Sequence, residues 1–102
     1  MSDTPSLPAP LPRHAVMALL DEAMAQAALS RVNGTNAEQG PSRTVVAVDV
    51  HMSFMRPVMG QPTASAQVVG GGKTMVFCEA QLHDAQGGVL AQALGTYRAQ
   101  RL

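Results

Sequence analysis

Hydrophobic and polar residues follow two spacings along this chain, first that of a helix and then that of β-strands. Residues 13–30 are rich in Ala, Leu and Met, which favour helices, and Asn33 and Gly34 then supply a natural helix end. Apolar residues occur on nearly every side of this segment, a pattern typical of a buried helix. Residues 31–42 are polar and rich in Gly and Asn, which predicts a loop.

The rest of the chain predicts four strands joined by short turns. Residues 44–55 alternate between two faces, and one face carries Val46, Val48, Val50, Met52 and Phe54. The other strands are predicted at residues 62–69, 73–83 and 89–100, with turns at 70–72 and 84–88. Short turns imply antiparallel neighbours. The predicted fold class is therefore α+β, with one antiparallel sheet packed on one long apolar helix.

A proline-rich segment precedes the helix. Pro5, Pro8, Pro10 and Pro12 fix the backbone and remove amide donors, so this segment fits neither a helix interior nor a central strand. We therefore divide the chain into a flexible arm, residues 1–12, and a single domain, residues 13–102. The arm lacks the basic start and apolar core of a secretory signal.

Charge and cysteine content exclude several classes of protein. Seven basic residues balance seven acidic ones and the pI is about 6.8, whereas nucleic-acid binders are normally strongly basic. No polybasic or long apolar segment predicts a membrane anchor. The single cysteine, Cys78, predicts a reducing compartment, most simply the cytoplasm. Only 14% of residues are charged, which leaves much of the surface apolar and favours a homo-oligomer.

Four short segments resemble one known family in their order and spacing. They are Leu-Leu-Asp-Glu-Ala-Met at 19–24, Val-Asp-Val-His-Met-Ser-Phe-Met-Arg-Pro at 48–57, Val-Gly-Gly-Gly-Lys-Thr at 69–74 and Ala-Gln-Ala-Leu-Gly-Thr-Tyr at 91–97. Together they resemble the hotdog fold, in which a sheet wraps a central helix. More narrowly, they look like the phenylacetate-degradation branch of acyl-CoA thioesterases. The resemblance implies a protein that hydrolyses or binds a small aryl- or acyl-CoA thioester.

The resemblance also implies roles for residues around the reacting carbonyl group. Asp21 matches the carboxylate that activates water or attacks the thioester carbon, and a carboxylate suits this chemistry. Glu22, about 100° further around the helix, is the alternative carboxylate. Backbone amides near His14 and Ala15 are expected to face the carbonyl oxygen. Ala47 stands where many relatives carry a Ser or Thr on the long strand.

A second group of residues is expected to contact the phosphates of coenzyme A. It comprises the turn residues Gly71, Gly72 and Lys73, together with Arg56. The structural alternatives are a hairpin that requires positive φ and an arginine that caps the end of a strand. We expect no cofactor beyond the coenzyme A thioester as substrate, and a homodimer or homotetramer in which coenzyme A lies across a subunit interface.

The sequence departs from the family before the helix. Relatives usually have a first strand and a His-Gly-Gly turn there, whereas this chain has the proline-rich segment, with Pro12, Arg13 and His14 at the turn. Proline offers no amide to an oxyanion. This departure supports an alternative function, a catalytically impaired hotdog protein that binds acyl-CoA or serves as a structural oligomer.

Other clusters of polar residues are interpreted as structural. Asp49, His51 and Ser53 alternate along one strand face, where same-face neighbours are about 6.6–6.8 Å apart, too far for a hydrogen-bonded triad. His51, His83 and Asp49 could meet at a metal across strands, but nothing in their spacing supports such a site. A polar outer face is the simpler interpretation, and we predict no metal ligands.

Overall fold

The computed structural model describes residues 9–34 and 42–102 as one helix and four strands. Helix α1 spans Arg13–Asn33, and the strands are β1 (Arg43–Phe54), β2 (Thr63–Gly71), β3 (Met75–His83) and β4 (Val89–Arg101). All neighbouring strands are antiparallel, in the order β1-β4-β3-β2. The helix packs on one face of the sheet, so the predicted α+β architecture is confirmed.

Helix α1 buries one stripe of its surface in this chain. The stripe repeats every four residues and consists of Val16, Leu20, Met24, Ala28 and Val32. The rest of the apolar surface is open, and Met17 for example is 42% exposed. Burial on every side, as the sequence suggested, would therefore need a further surface over the helix.

Small side chains on the sheet allow the helix to approach closely. Ala80, Ala91 and Ala93 are buried on the inner face, as is Gly95. A Cβ atom added to Gly95 would lie 2.9 Å from the Tyr97 ring and 3.1 Å from the Met24 methyl group. The missing side chain thus makes room for both neighbours at the centre of the domain.

Strand β1 changes face at a β-bulge. Its register against β4 shifts between Ala47 and Asp49, so Val48 is an additional residue in β1 and is 52% exposed. Val50 and Met52 pack on the core as the alternation predicts, but Val45 does so in place of Val46. The prediction of a single face from Val46 to Phe54 is wrong in its first half, because a bulge inverts the alternation that follows it.

The glycine-rich turn begins later than the sequence suggested. Gly70 and Gly71 belong to β2, and residues 72–74 form the turn, with the Gly72 amide bonded to the Met75 carbonyl at 2.8 Å. Gly71 has φ +91°, and a Cβ atom there would collide with the Met75 carbonyl oxygen. Only glycine meets both conditions.

The segment before α1 is attached to the domain where the structure describes it. The Leu11 amide donates to the Val58 carbonyl at 2.9 Å, and Leu11 packs against the core. The greater part of the predicted arm, residues 1–8, lies outside the described residues, as do residues 35–41 of the predicted loop. Over the described ranges, no helix is both long and apolar enough to span a bilayer.

Candidate active site

The centre of the candidate site is a carboxylate on α1 bonded to a phenol on β4. Tyr97 is only 1% exposed, and its hydroxyl donates to Asp21 Oδ1 at 2.5 Å. The same hydroxyl lies 3.3 Å from the Asp21 carbonyl oxygen. Burial, and then the bond to Asp21, raise the pKa of Tyr97 well above its ordinary value near 10. The phenol therefore remains a donor at neutral pH.

Asp21 itself is exposed rather than enclosed in one chain. The sequence places Asp21 in a helix that is apolar on nearly every side, but in the single chain its side chain faces solvent. Glu22 is exposed beside it. Of these two carboxylates, Asp21 is the one that a buried side chain holds in place.

Backbone amides at the start of α1 lie away from Asp21. His14 and Ala15 precede Asp21 by seven and six residues, which places them about 9–11 Å from it along the helix axis. The Ala15 amide already donates to the Pro12 carbonyl at 2.9 Å, and so does that of Val16 at 3.2 Å. The predicted role of Ala15 as an oxyanion donor therefore conflicts with the hydrogen bond that it makes in this chain.

Ala47 lies beside the carboxylate site on the long strand. It is paired with Tyr97 in the register between β1 and β4, just before the bulge. Paired residues in an antiparallel sheet share a face, so Ala47 and Tyr97 both lie on the helix side of the sheet. Ala47 thus lies on the helix side of the sheet, where its methyl group offers no hydrogen bond.

An apolar depression adjoins the start of α1. Its lining includes Val16, Phe54, Met55 and Val58, and the Arg13 guanidinium lies 5.4 Å from the centre of the Phe54 ring. Phe54 and Met55 are 44% and 48% exposed, which is unusual for large apolar side chains. This depression is a candidate surface for an acyl group.

Basic side chains gather at the other end of the sheet, around the β2–β3 turn. Arg31 donates to the Gly71 carbonyl at 3.4 Å, and Arg43 donates to the Lys73 carbonyl at 2.8 Å. Arg43 is also paired directly with Arg101 between β1 and β4, an arrangement of like charges that costs stability. We call Arg31, Arg43, Lys73 and Arg101 the basic end.

None of the four side chains of the basic end forms an ion pair with a carboxylate among the described residues. The single ion pair in that part of the chain joins Arg56 to Asp84, at the opposite end of the sheet. Four cations without a carboxylate partner form a surface suited to phosphate groups. The turn glycines shape this surface but the Gly72 amide is not available to a phosphate, because it is bonded inside the turn.

Arg56 forms structural contacts at the opposite end of the sheet. Its guanidinium lies 3.3 Å from Asp84 Oδ2 and donates to the Val89 carbonyl at 3.2 Å. Asp84 Oδ1 accepts the amides of Gly88 and Gln86 in the β3–β4 turn. The hydrogen bond from the Gly88 amide is the largest cause that holds the pKa of Asp84 below its ordinary value, and the Gln86 amide and the charged Arg56 guanidinium lower it further.

One chain does not bring Arg56 and Lys73 together. The eight-residue rise along β3 separates the two ends of the sheet by about 26 Å. The residues expected to bind phosphate therefore lie at two ends of the sheet, with Arg56 at one end and the β2–β3 turn at the other. The structure favours the alternative that Arg56 caps a strand end. Lys73 lies on the basic end, two residues beyond Gly71, which is about 10 Å from Tyr97 across two strand spacings.

The outer face of the sheet carries the remaining polar residues. His51 and Ser53 line a shallow depression there with Glu79 and Gln92, away from α1. His83 is bonded to Gln81 at 3.1 Å. Within residues 9–34 and 42–102, no three His, Cys, Asp or Glu side chains are grouped closely enough to hold a metal ion.

Sequence reasoning missed the residues that depend on strand register. Tyr97 is 76 positions from Asp21 along the chain, and Arg43 meets Arg101 only because β1 pairs with β4. The one signal for Tyr97 is that a strand of small inward residues, Ala91, Ala93 and Gly95, ends in the single tyrosine of the chain.

Comparison with known families identifies the family to which this chain belongs. The model of the thioesterase superfamily matches residues 15–91, which include all but the first two residues of α1, the whole of β1, β2 and β3, and the start of β4. The chain belongs to the thioesterase superfamily. A comparison with proteins of curated function found no match.

Solved structures of the superfamily share the fold. A Shewanella oneidensis protein related to the thioesterase superfamily is 25% identical, with a TM-score of 0.77 over 87% of this chain and 63% of that one. A Bacillus halodurans protein crystallised with CoA is 23% identical, with a TM-score of 0.72 over 88% of this chain and 59% of the other. A Thermus thermophilus thioesterase complexed with coenzyme A and zinc is 17% identical, with a TM-score of 0.65 over 88% of this chain and 70% of its own.

These likenesses confirm the hotdog fold expected from the sequence. The chain spans about three fifths of the length of the first two structures from Bacillus and Shewanella. Asp21, Arg31, Arg43 and Lys73 lie within the residues that the family model matches, and Arg101 lies beyond them.

Proposed function

We propose that the protein hydrolyses a small aryl- or acyl-CoA thioester with Asp21 as general base or nucleophile. The observation that carries the proposal is the exposed Asp21 carboxylate at the middle of α1, held by the buried Tyr97 hydroxyl in a chain of the thioesterase superfamily. The phenylacetate-degradation branch is our proposal for the subfamily, and the cytoplasm, from the single cysteine, is our proposal for the compartment.

The chemistry needs one base and one oxyanion donor. As a base, Asp21 removes a proton from water, and the resulting hydroxide forms a bond to the thioester carbon. The carbonyl electrons move to oxygen and return as the carbon–sulfur bond breaks. The products are a carboxylic acid and coenzyme A, whose sulfur takes the proton. As a nucleophile, Asp21 would instead form an acyl anhydride that water then cleaves.

Two surfaces of the chain, one toward each end of α1, suit the two halves of the substrate. The basic end offers cations to the phosphates of coenzyme A, and it lies closer to Tyr97 than Arg56 does. The apolar depression at Phe54 and Met55 offers a surface to the acyl group. Binding of CoA by the Bacillus and Thermus structures supports the assignment of this ligand.

A second copy of the chain is proposed to complete the site. A thioester carbonyl at Asp21 lies about 9–11 Å from the amides at the start of the same helix, beyond hydrogen-bond reach. A second α1 running antiparallel would bring its start next to Asp21 and would cover apolar helix residues such as Met17. A stable monomer at micromolar concentration, measured by size exclusion with light scattering, would contradict this dimer or tetramer.

The test is release of thiol from a panel of aromatic and aliphatic acyl-CoA thioesters. Asp21→Asn and Glu22→Gln remove the same charge from adjacent exposed positions, so each variant is the control for the other. We expect at least about a 100-fold loss in Asp21→Asn and less than about twofold in Glu22→Gln. The reverse pattern would transfer the role to Glu22. The protein's own thiol should not disturb the assay, because Cys78 is buried and burial raises its pKa.

A second candidate function is binding without catalysis. It is favoured by the absence of an amide at Pro12 and by the engagement of the Ala15 amide with the Pro12 carbonyl. Such a protein would bind free coenzyme A and release no thiol from any member of the panel. Calorimetric titration of wild-type protein with coenzyme A, beside the hydrolysis assay, separates the two functions.

A further inference from the structure

Tyr97 combines a buried ring with a hydroxyl that emerges at the helix. Its ring and the Met24 side chain both adjoin the space over Gly95, and no charged or amide side chain is buried among the described residues. Phenylalanine would fill the same space, so the hydroxyl is not needed for packing. Within hydrogen-bond distance, the hydroxyl meets the carboxylate and the carbonyl oxygen of Asp21.

The bond restricts one carboxylate oxygen and leaves the other free. Oδ1 of Asp21 accepts the phenol proton, so the carboxyl plane is fixed relative to β4, and Oδ2 is directed away from this donor. A long side chain on a rigid strand holds this geometry better than solvent does. The donor is permanent because the phenol does not ionise near neutral pH.

We propose that Tyr97 is a positioning residue that orients the Asp21 carboxylate for attack on the thioester or its water. The inference rests on the proposed function, since Tyr97 acts only through Asp21. If Tyr97 were purely structural, its hydroxyl would hold α1 against the sheet through the Asp21 carbonyl. Removal of the hydroxyl would then leave the orientation of the Asp21 carboxylate unchanged.

The kinetic test uses Tyr97→Phe in two backgrounds. In wild type we expect kcat to fall about 10-fold with KM within about twofold, the effect of losing one hydrogen bond to a charged group. In the Asp21→Asn background we expect Tyr97→Phe to change the residual rate less than about twofold. A kcat unchanged in wild type, or an equal fall in both backgrounds, would overturn the proposal.

A second measurement does not depend on turnover. The Asp21 side-chain carboxyl signal, identified by its absence in Asp21→Asn, is recorded by carbon-13 NMR at pH 7. In Tyr97→Phe its chemical shift should change, because Oδ1 loses the phenol donor, and in Glu22→Gln it should stay close to the wild-type position. An unchanged chemical shift in Tyr97→Phe would overturn the proposal even if the protein hydrolyses thioesters, and a changed one would uphold the contact even if it does not.

The single tyrosine permits a variant without a packing change. Growth on 3-fluorotyrosine modifies Tyr97 alone, and its more acidic phenol is the stronger donor. The Asp21 carboxyl chemical shift should then move in the direction opposite to that in Tyr97→Phe. Should Tyr97→Phe fail to fold, this labelled protein decides the matter, and a carboxyl chemical shift equal to that of the unlabelled protein would overturn the proposal.

Discussion

The two ends of the sheet handle positive charge in opposite ways. At one end, Arg56 is paired with Asp84 and the Asp84 carboxylate also accepts two turn amides. At the other end, Arg31 and Arg43 reach only backbone carbonyls of the β2–β3 turn, and Arg43 stands directly opposite Arg101. The first end is neutralised within the fold, whereas the second accumulates charge.

This difference separates a structural arginine from binding cations. A paired guanidinium stabilises a turn and has little charge left to attract an anion. Cations placed side by side lower stability, and a phosphate ligand would relieve that repulsion. We therefore propose that the nucleotide of acyl-CoA binds at the Lys73 end, whereas Arg56 holds the β3–β4 turn.

The largest predicted effect concerns the shape of the basic end. Gly71→Ala should lower the free energy of unfolding by about 2–3 kcal/mol, because φ is positive and a Cβ atom would meet the Met75 carbonyl. Gly72→Ala, with nothing within 4 Å of its Cβ position, should cost less than about 0.5 kcal/mol. Urea unfolding of the two variants checks this. Equal losses would show that the turn does not depend on Gly71.

A smaller effect is expected from the paired end. Arg56→Gln should lower the free energy of unfolding by about 0.5–1 kcal/mol, because it removes an exposed ion pair and bonds to the Val89 carbonyl. Lys73→Gln should stay within about 0.5 kcal/mol of wild type, since Arg43 bonds the Lys73 carbonyl and not its side chain. Urea unfolding of both variants checks this. A larger loss of stability in Lys73→Gln than in Arg56→Gln would contradict a structural role for Arg56 and a binding role for Lys73.

Salt should weaken the interaction assigned to the basic end. Raising NaCl from 50 to 500 mM should reduce the affinity for coenzyme A by roughly three- to tenfold, because exposed charges are screened. The reduction should be smaller in Lys73→Gln, which has one cation fewer. Calorimetric titration at both salt concentrations checks this, and an affinity independent of salt would argue against phosphate contacts by these residues.

The smallest effect is a pH dependence of stability at the paired end. The Asp84 pKa is lower in the folded chain than its ordinary value near 3.8, so the folded state favours the charged form. This contribution is present above about pH 4 and is lost as pH falls through the folded value. Urea unfolding at pH 6 and pH 3 should show a smaller acid loss in Asp84→Asn than in wild type. An equal loss would mean that Asp84 does not contribute.

The fold was largely predictable because its signals are local. The Ala-rich segment before Asn33 and the alternation in β3 each identify an element, and the turn at Asp84 joins neighbours. The face of β1 was not predictable, because the bulge at Val48 depends on how β1 pairs with β4. An alternating pattern alone does not reveal an inserted residue.

The candidate site was predictable only where one residue carried it. Asp21 stands out in the sequence as a carboxylate in an apolar helix. Tyr97 and the Arg43–Arg101 pair required the register of the sheet, and Arg56 was assigned to phosphate because its bond to Asp84 was not visible. Charged residues at strand ends have meaning only once their neighbours are known.

The most direct test of this account is calorimetric titration of coenzyme A into wild type, Lys73→Gln and Arg56→Gln at low salt. The account predicts binding by wild type, an affinity about 5- to 20-fold weaker in Lys73→Gln, and an affinity within about twofold of wild type in Arg56→Gln. Weaker binding in Arg56→Gln with none lost in Lys73→Gln, or no binding by wild type, would contradict it.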